Sequence, residues 1–130
     1  VSPEPWEQSV ESHPLVAHAA LVGTDRPYLT AALVIDPEAV TEWFRTLGES
    51  LPAEVEAPGV TVCTDGRLEV ALSGAVDRAN ATVSPAERVQ YWRVIVVGSD
   101  RWGDFVTPTM KLKRQALIDE LQPILDELYR

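Results

Sequence analysis

Hydrophobic residues along this chain fall into blocks of two different periods, separated by polar or Gly/Pro-rich segments. Trp6 and Val10 stand four apart behind Ser2-Pro3-Glu4. A capping Ser, Pro at the first helical position and an acid in the first turn predict a short helix. It should stop near His13, because Pro14 disfavours helix in the residue before it. Residues 15–22 are a continuous apolar run broken only by His18, and residues 28–35 are a second run rich in strand-forming residues. The polar link Gly23-Thr24-Asp25-Arg26-Pro27 between them predicts an antiparallel hairpin. Asp36-Pro37-Glu38 is a helix start, followed by Val40, Trp43, Phe44 and Leu47 at helical spacing and by Gly48 as a stop.

Residues 49–66 carry the weakest pattern. Pro52, Pro58, Gly59 and Gly66 punctuate them, and only Val60 and Val62 suit a short strand. Leu68, Ala71, Leu72, Ala75, Val76 and Ala79 then mark one face of a clear helix. Ser84-Pro85-Ala86-Glu87 reads as the cap of a single turn, and residues 90–97 as a strand through Trp92, Val94 and Val96. A turn-rich loop over 98–103 leads into a Thr-Pro-Thr stretch. The last helix carries Leu117, Ile118, Leu121, Ile124, Leu125 and Leu128, with Pro123 predicting a kink or a break. This order predicts a single α+β domain over 1–130, in which a small sheet (an antiparallel hairpin plus a further strand) is packed with helices.

Composition narrows the functions open to such a domain. The net charge of −9 argues against a nucleic-acid or anionic-membrane surface. Cys63 is the only cysteine, so an internal disulfide and a thiolate metal cage are excluded. No apolar run reaches the length of a membrane span and no secretory pattern opens the chain, which makes the cytoplasm the default expectation. Glycine-rich phosphate loops, His-Glu-x-x-His and Gly-x-Ser-x-Gly are absent. His13 and His18 lack partners at ligand spacing, so no metal site is expected, and no Ser/His/Asp set assembles. The domain lacks the parts of a complete active site. Its only Met is Met110, and it opens at Val1 directly on a helix cap, as a piece of a longer polypeptide would.

One local anomaly carries chemistry. Eleven side chains are cationic and only two are lysines, Lys111 and Lys113, both inside Thr107-Pro108-Thr109-Met110-Lys111-Leu112-Lys113-Arg114. Arg is a planar fork for bidentate contacts, whereas Lys places a compact point charge on a single oxygen. Pro108 stiffens the approach and biases Thr107 toward extended backbone, and the Thr hydroxyls can bond backbone or ligand. Lys111 is expected on an extended loop just before the last helix, reaching toward a substrate held elsewhere. Trp102, in the loop before this stretch, is a candidate for a surface that meets another domain.

Residues 103–114, Gly-Asp-Phe-Val-Thr-Pro-Thr-Met-Lys-Leu-Lys-Arg, closely resemble the C-terminal lysine motif of AMP-forming acyl-CoA synthetases, the long-chain fatty-acid branch in particular. Val1-Ser2-Pro3-Glu4-Pro5, Arg26-Pro27-Tyr28-Leu29-Thr30-Ala31, Asp36-Pro37-Glu38 and Asp77-Arg78-Ala79-Asn80-Ala81 are collinear matches to the same branch. The resemblance spans the chain apart from residues 49–66. It implies a long-chain fatty acid–CoA ligase that uses ATP, Mg²⁺ and CoA. A large N-terminal domain holds ATP and the acyl group, and a small mobile C-terminal lid domain supplies a lysine to adenylation before thioester formation. Lys111 matches that catalytic lysine in register. Thr107, Thr109, Lys113 and Arg114 are candidate substrate-binding residues, Lys113 also being the fallback for the lysine itself. Family members often have Gly directly before the lysine, where this chain has Met110, as in the long-chain branch. The N-terminal domain and hinge are absent here, so the isolated domain should be inactive, and acyl chain length is not legible. Two alternatives stand beside this expectation. One is the C-terminal domain of an adenylating enzyme that loads a carrier protein. The other is a free-standing, non-enzymatic α+β interaction module.

Overall fold

The computed structural model describes residues 4–22 and 29–127. The Ser2 cap and the link between the first two strands lie outside them. In chain order the elements are α1 (Glu4–Glu11), β1 (Val16–Val22), β2 (Leu29–Ile35), α2 (Pro37–Leu47), α3 (Ala53–Glu56), β3 (Val60–Cys63), α4 (Gly66–Asn80), a 3-10 turn (Pro85–Glu87), β4 (Val89–Val97), α5 (Trp102–Phe105) and α6 (Arg114–Asp126). The expected α+β domain is present, with four strands in the order β1-β2-β4-β3. β1 and β2 pair antiparallel, as the short link between them requires, and β3 pairs antiparallel with β4. β4 runs parallel to β2, from Leu29 opposite Val89 to Val34 opposite Ile95.

The apolar spelling of β2, interrupted only by Thr30, follows from its central place. Side chains alternate between faces along a strand, so only a strand covered on both sides is apolar throughout. Ala31, Leu33, Ile35, Val94 and Val96 face a core built with Trp6 and Val10 of α1, Phe44 of α2 and Leu68, Leu72 and Val76 of α4. Ala32, Val34, Ile95 and Val97 face a second core with Phe105, Val106 and Leu117, Leu121 and Leu125 of α6. The result is three layers, with α6 on its own side of the sheet.

Helix ends follow the spelled signals. Asp36 caps α2 by accepting from the N–H groups of Glu38 and Ala39, and Gly48 closes it in the left-handed region at φ 68°. Asp65 caps α4 in the same way. Of the kink or break expected at Pro123, the break does not occur, and α6 runs through it as one helix. The carbonyl that loses its donor belongs to Asp119, an exposed residue that water can serve. Residues 98–103 are not all loop, since α5 begins at Trp102.

Two polar devices hold α1 and β4 in place. Asn80, at the end of α4, accepts from Trp6 Nε1 at 2.8 Å and from the N–H of Val89 at 2.9 Å, and donates to the Val89 carbonyl at 3.1 Å. One amide thus reads both backbone groups of the first residue of β4 and ties α1 to it. Asn80→Leu is expected to lower the stability of the fold by about 2–3 kcal/mol, because it strands several partners at once. The check is the chemical-denaturation midpoint, and a loss below ~0.5 kcal/mol would remove this role.

The second device covers a sheet edge. β1 is an edge strand, and alternate amides of an antiparallel edge point away from its partner. Ala19 N–H donates to Glu11 at 2.9 Å and Leu21 N–H to Glu7 at 2.7 Å. Four residues of helix advance about 6 Å and two residues of strand about 6.6 Å, so carboxylates at i and i+4 of α1 match the outward amides of the strand. The helix stands where a fifth strand would otherwise be invited.

Candidate functional site: the lysine hairpin

The chain turns sharply between α5 and α6. Val106 and Leu112 form an isolated antiparallel bridge. Thr107 N–H donates to the Lys111 carbonyl at 2.8 Å and Met110 N–H to the Thr107 carbonyl at 2.8 Å. Pro108-Thr109-Met110 is therefore a three-residue hairpin loop, the type whose third residue takes the left-handed conformation. Met110 has φ 66° and is the only non-glycine with positive φ among the described residues. The extended loop expected for this stretch is thus a tight turn. Only Gly enters the left-handed region freely, so Met110 holds this conformation at a cost. Met110→Gly is expected to stabilise the fold by roughly 0.5 kcal/mol, the relieved strain being partly offset by unfolded-chain entropy. Met110→Ile should destabilise it, since a β-branched residue tolerates positive φ least. Thermal melts of the two variants moving in the same direction would contradict this account.

Side chains rigidify the turn. Thr107 Oγ1 accepts from the Lys111 N–H at 3.0 Å and lies 3.1 Å from Thr109 Oγ1. Below the tip, Phe105 and Val106 are buried in the second core and Leu112 packs against it. The Arg101 guanidinium sits 5.3 Å from the Phe105 ring centre, donates to Asp104 at 2.7 Å and bridges to Glu120 of α6. These carboxylates raise the guanidinium pKa further, so it stays charged.

The three cations after the turn differ in what they touch. Lys113 Nζ donates to the Gly103 carbonyl at 3.2 Å. Arg114 pairs with Glu7 of α1 and donates to the Leu21 carbonyl of β1 at 2.9 Å. Lys111 is exposed, and its ammonium has no hydrogen-bond or ion-pair partner among the described residues. The structure thus gathers Thr107, Thr109 and Lys111 at one tip and turns Lys113 and Arg114 back onto the domain. The engagement of Arg114 was hidden from sequence reasoning, because its partner Glu7 lies at the far end of the chain.

An open groove of ≈ 1050 Å³ runs along the C-terminal ends of β2 and β4, lined among others by His18, Asp36, Gly98, Trp102 and Met110. Lys111 is not part of its lining, although its neighbour Met110 is. His18 approaches Glu11 at 3.8 Å and the Trp102 ring at 6.1 Å. Burial pushes its imidazole pKa down, with Glu11 pulling the other way. Trp102 is half-buried against the second core rather than free on the surface. Among the described residues no cluster of His, Cys, Asp and Glu could hold a metal ion, and no helix is long and apolar enough to cross a membrane.

Comparison with known proteins gives a consistent picture. The chain is 31% identical over 129 residues to the long-chain-fatty-acid–CoA ligase FadD15 of Mycobacterium tuberculosis, covering 99% of this chain and 21% of that protein. It is 29% identical over 143 residues to the long-chain-fatty-acid–CoA ligase ACSBG2 of Gallus gallus, covering 99% of this chain and 19% of that protein. The chain therefore spans about a fifth of the length of these curated relatives. Its fold matches the adenylation domain of a carboxylate reductase from Mycobacterium chelonae with a TM-score of 0.65 at 20% identity, over 99% of this chain and 18% of that one. A family model described as AMP-binding enzyme C-terminal domain matches residues 1–130, and with it the chain belongs to the family of AMP-binding enzyme C-terminal domains.

Proposed function

We propose that this chain is the mobile C-terminal domain of a long-chain fatty acid–CoA ligase, and that Lys111 serves the ATP-dependent adenylation of a fatty carboxylate. One observation carries the reading. Among the described residues, Lys111 is the cation of the hairpin whose ammonium has no partner, at a rigid tip, while Lys113 and Arg114 are occupied within the domain.

In the first half-reaction a carboxylate oxygen attacks the α-phosphorus of ATP, giving acyl-adenylate and pyrophosphate. Two anionic groups must approach each other. An ammonium between them offsets their repulsion, holds both oxygens and stabilises charge on the phosphoryl oxygens. The Thr107–Lys111 backbone bond, the Thr107 hydroxyl on the Lys111 N–H and the buried base of the hairpin fix the origin of that side chain, so only its flexible methylene chain needs ordering. Thr109, beside Thr107 at the exposed tip, offers a further hydroxyl to the same anion. In the second half-reaction the CoA thiol attacks the acyl carbonyl and AMP leaves, a step that does not need this ammonium. Mg²⁺ has no candidate ligand cluster among the described residues and would accompany the ATP phosphates in the N-terminal domain. That domain is the partner of the hairpin, and this chain alone should be inactive.

The test separates the half-reactions in the full-length enzyme. Removing the Lys111 ammonium should abolish most adenylation and spare thioester formation from supplied acyl-adenylate. Equal loss of both half-reactions would sink the assignment.

A further inference from the structure

Arg114 begins α6 immediately after the hairpin, and its surroundings are not those of a residue waiting for substrate. Its guanidinium bridges to the Glu7 carboxylate and donates to the Leu21 carbonyl at 2.9 Å. Glu7 in turn accepts from the Leu21 N–H at 2.7 Å and is only 7% exposed. The pair closes a ring around one residue of the edge strand. The carboxylate reads its N–H, the guanidinium reads its carbonyl, and each charge neutralises the other. Because the carboxylate is buried, losing the guanidinium would leave an uncompensated charge there. A planar fork can hold a carboxylate and a carbonyl at once, which an ammonium does poorly.

The ring joins three elements distant in sequence. α1 supplies Glu7, β1 supplies Leu21, and the first residue of α6 supplies Arg114. The Lys113 N–H donates to the Phe105 carbonyl at 2.6 Å, closing the base of the hairpin beside this ring. The four residues from Lys111 to Arg114 therefore run between a fixed turn and a fixed helix start. A shift of the α6 start would be passed through Lys113 and Leu112 to the Lys111 arm of the hairpin, and the ring opposes that shift.

We propose that the Glu7–Arg114 pair, closed through the Leu21 backbone, is a positioning device for the adenylating lysine, and that Arg114 is a positioning residue rather than a substrate ligand. This rests on the assignment of adenylation to Lys111. A side chain that orients another acts on turnover and leaves the affinity for ATP alone. A side chain that grips ATP or the carboxylate acts on binding.

The experiment is a double-mutant cycle in the full-length enzyme with Glu7→Gln, Arg114→Gln and the double variant. Adenylation is followed by pyrophosphate exchange and thioester formation from supplied acyl-adenylate, with Lys111→Ala alongside. Each single variant should lower kcat for adenylation about tenfold, with the KM for ATP within twofold of wild type. The double variant should be no worse than the worse single, since both break one ring. Thioester formation should stay within threefold, and Arg114→Lys should recover little, since an ammonium cannot fill the fork. A raised KM for ATP in Arg114→Gln with Glu7→Gln unaffected, or multiplying effects in the double variant, overturns the proposal. So does equal loss of both half-reactions in the isosteric Glu7→Gln, which would mark the ring as purely structural. If Lys111→Ala adenylates normally, the assignment of the lysine itself has failed. A defective Lys111→Ala beside a normal Glu7→Gln means that only the positioning role has.

Discussion

Lys111→Ala should slow adenylation in the full-length enzyme by about 100- to 1000-fold, the range seen when one preorganised donor to a developing oxyanion is removed. The effect is expected in kcat, since an ammonium that matters only as charge concentrates on the reacting oxygens contributes little to ground-state binding. Lys111→Arg should recover only part of the rate. It restores charge, but a planar fork on a tightly turned hairpin cannot place a single donor where the Nζ stood. The neighbouring lysine is the internal control. Lys113 already donates to the Gly103 carbonyl, so Lys113→Ala is expected to cost no more than a few-fold. If Lys113→Ala matched Lys111→Ala in adenylation, the role would belong to the pair or to Lys113. The measurement is the initial rate of pyrophosphate exchange at saturating ATP and fatty acid.

The largest expected effect on stability comes from the residue beneath the turn. Phe105 is 3% exposed and sits among Val34, Ile95, Leu117 and Leu121 in the second core, with the Arg101 guanidinium over its ring. Phe105→Ala should cost about 3–5 kcal/mol, the sum of lost transfer energy and the cavity left behind. That is a large share of the roughly 5–15 kcal/mol that holds a domain together. Phe105→Leu keeps most of the volume and should cost about 1–1.5 kcal/mol. The two losses, read from denaturant midpoints with unchanged slope, should differ at least twofold. Near-equal losses would mean that the site collapses around the smaller side chain and that the hairpin is not supported from below.

Much of this architecture is legible along the chain, and what is not has identifiable causes. The helix at 66–80 and the strand at 89–97 follow from period and length alone. The parallel pairing of β4 with β2 does not, because alternation reports that a strand is covered and not by which neighbour. The short strand β3 was legible only through Val60 and Val62, and α3 not at all, since four residues between prolines carry no period. The lysine stretch reads as extended because Pro108 biases its predecessor that way. The turn is set by a Thr side chain bonding a backbone amide four residues on, and by a Met in a conformation that spelling does not reveal. Lys111 itself stood out as an ammonium in a chain that writes its other cations, Lys113 apart, as arginine. The occupation of Arg114 could not be seen, because ion pairs across 107 positions leave no local pattern.

The parallel contact between β2 and β4 has a consequence for the order in which the molecule is made. Leu29 and its partner Val89 are 60 residues apart, so the middle of the sheet closes only after most of the chain exists. Until then β1 and β2 form a two-stranded ribbon with apolar side chains on both faces, and ribbons of that kind are marginal in water. Closure over so long a loop is slow relative to helix formation. A nascent or truncated chain ending before Val89 therefore presents the Ala32 and Val34 face of β2 without its covering layer, and association between copies competes with folding at that stage. Residues 89–127 complete the sheet and its second core as well as carrying the lysine, and so the segment that arms the domain is also the one that closes its fold.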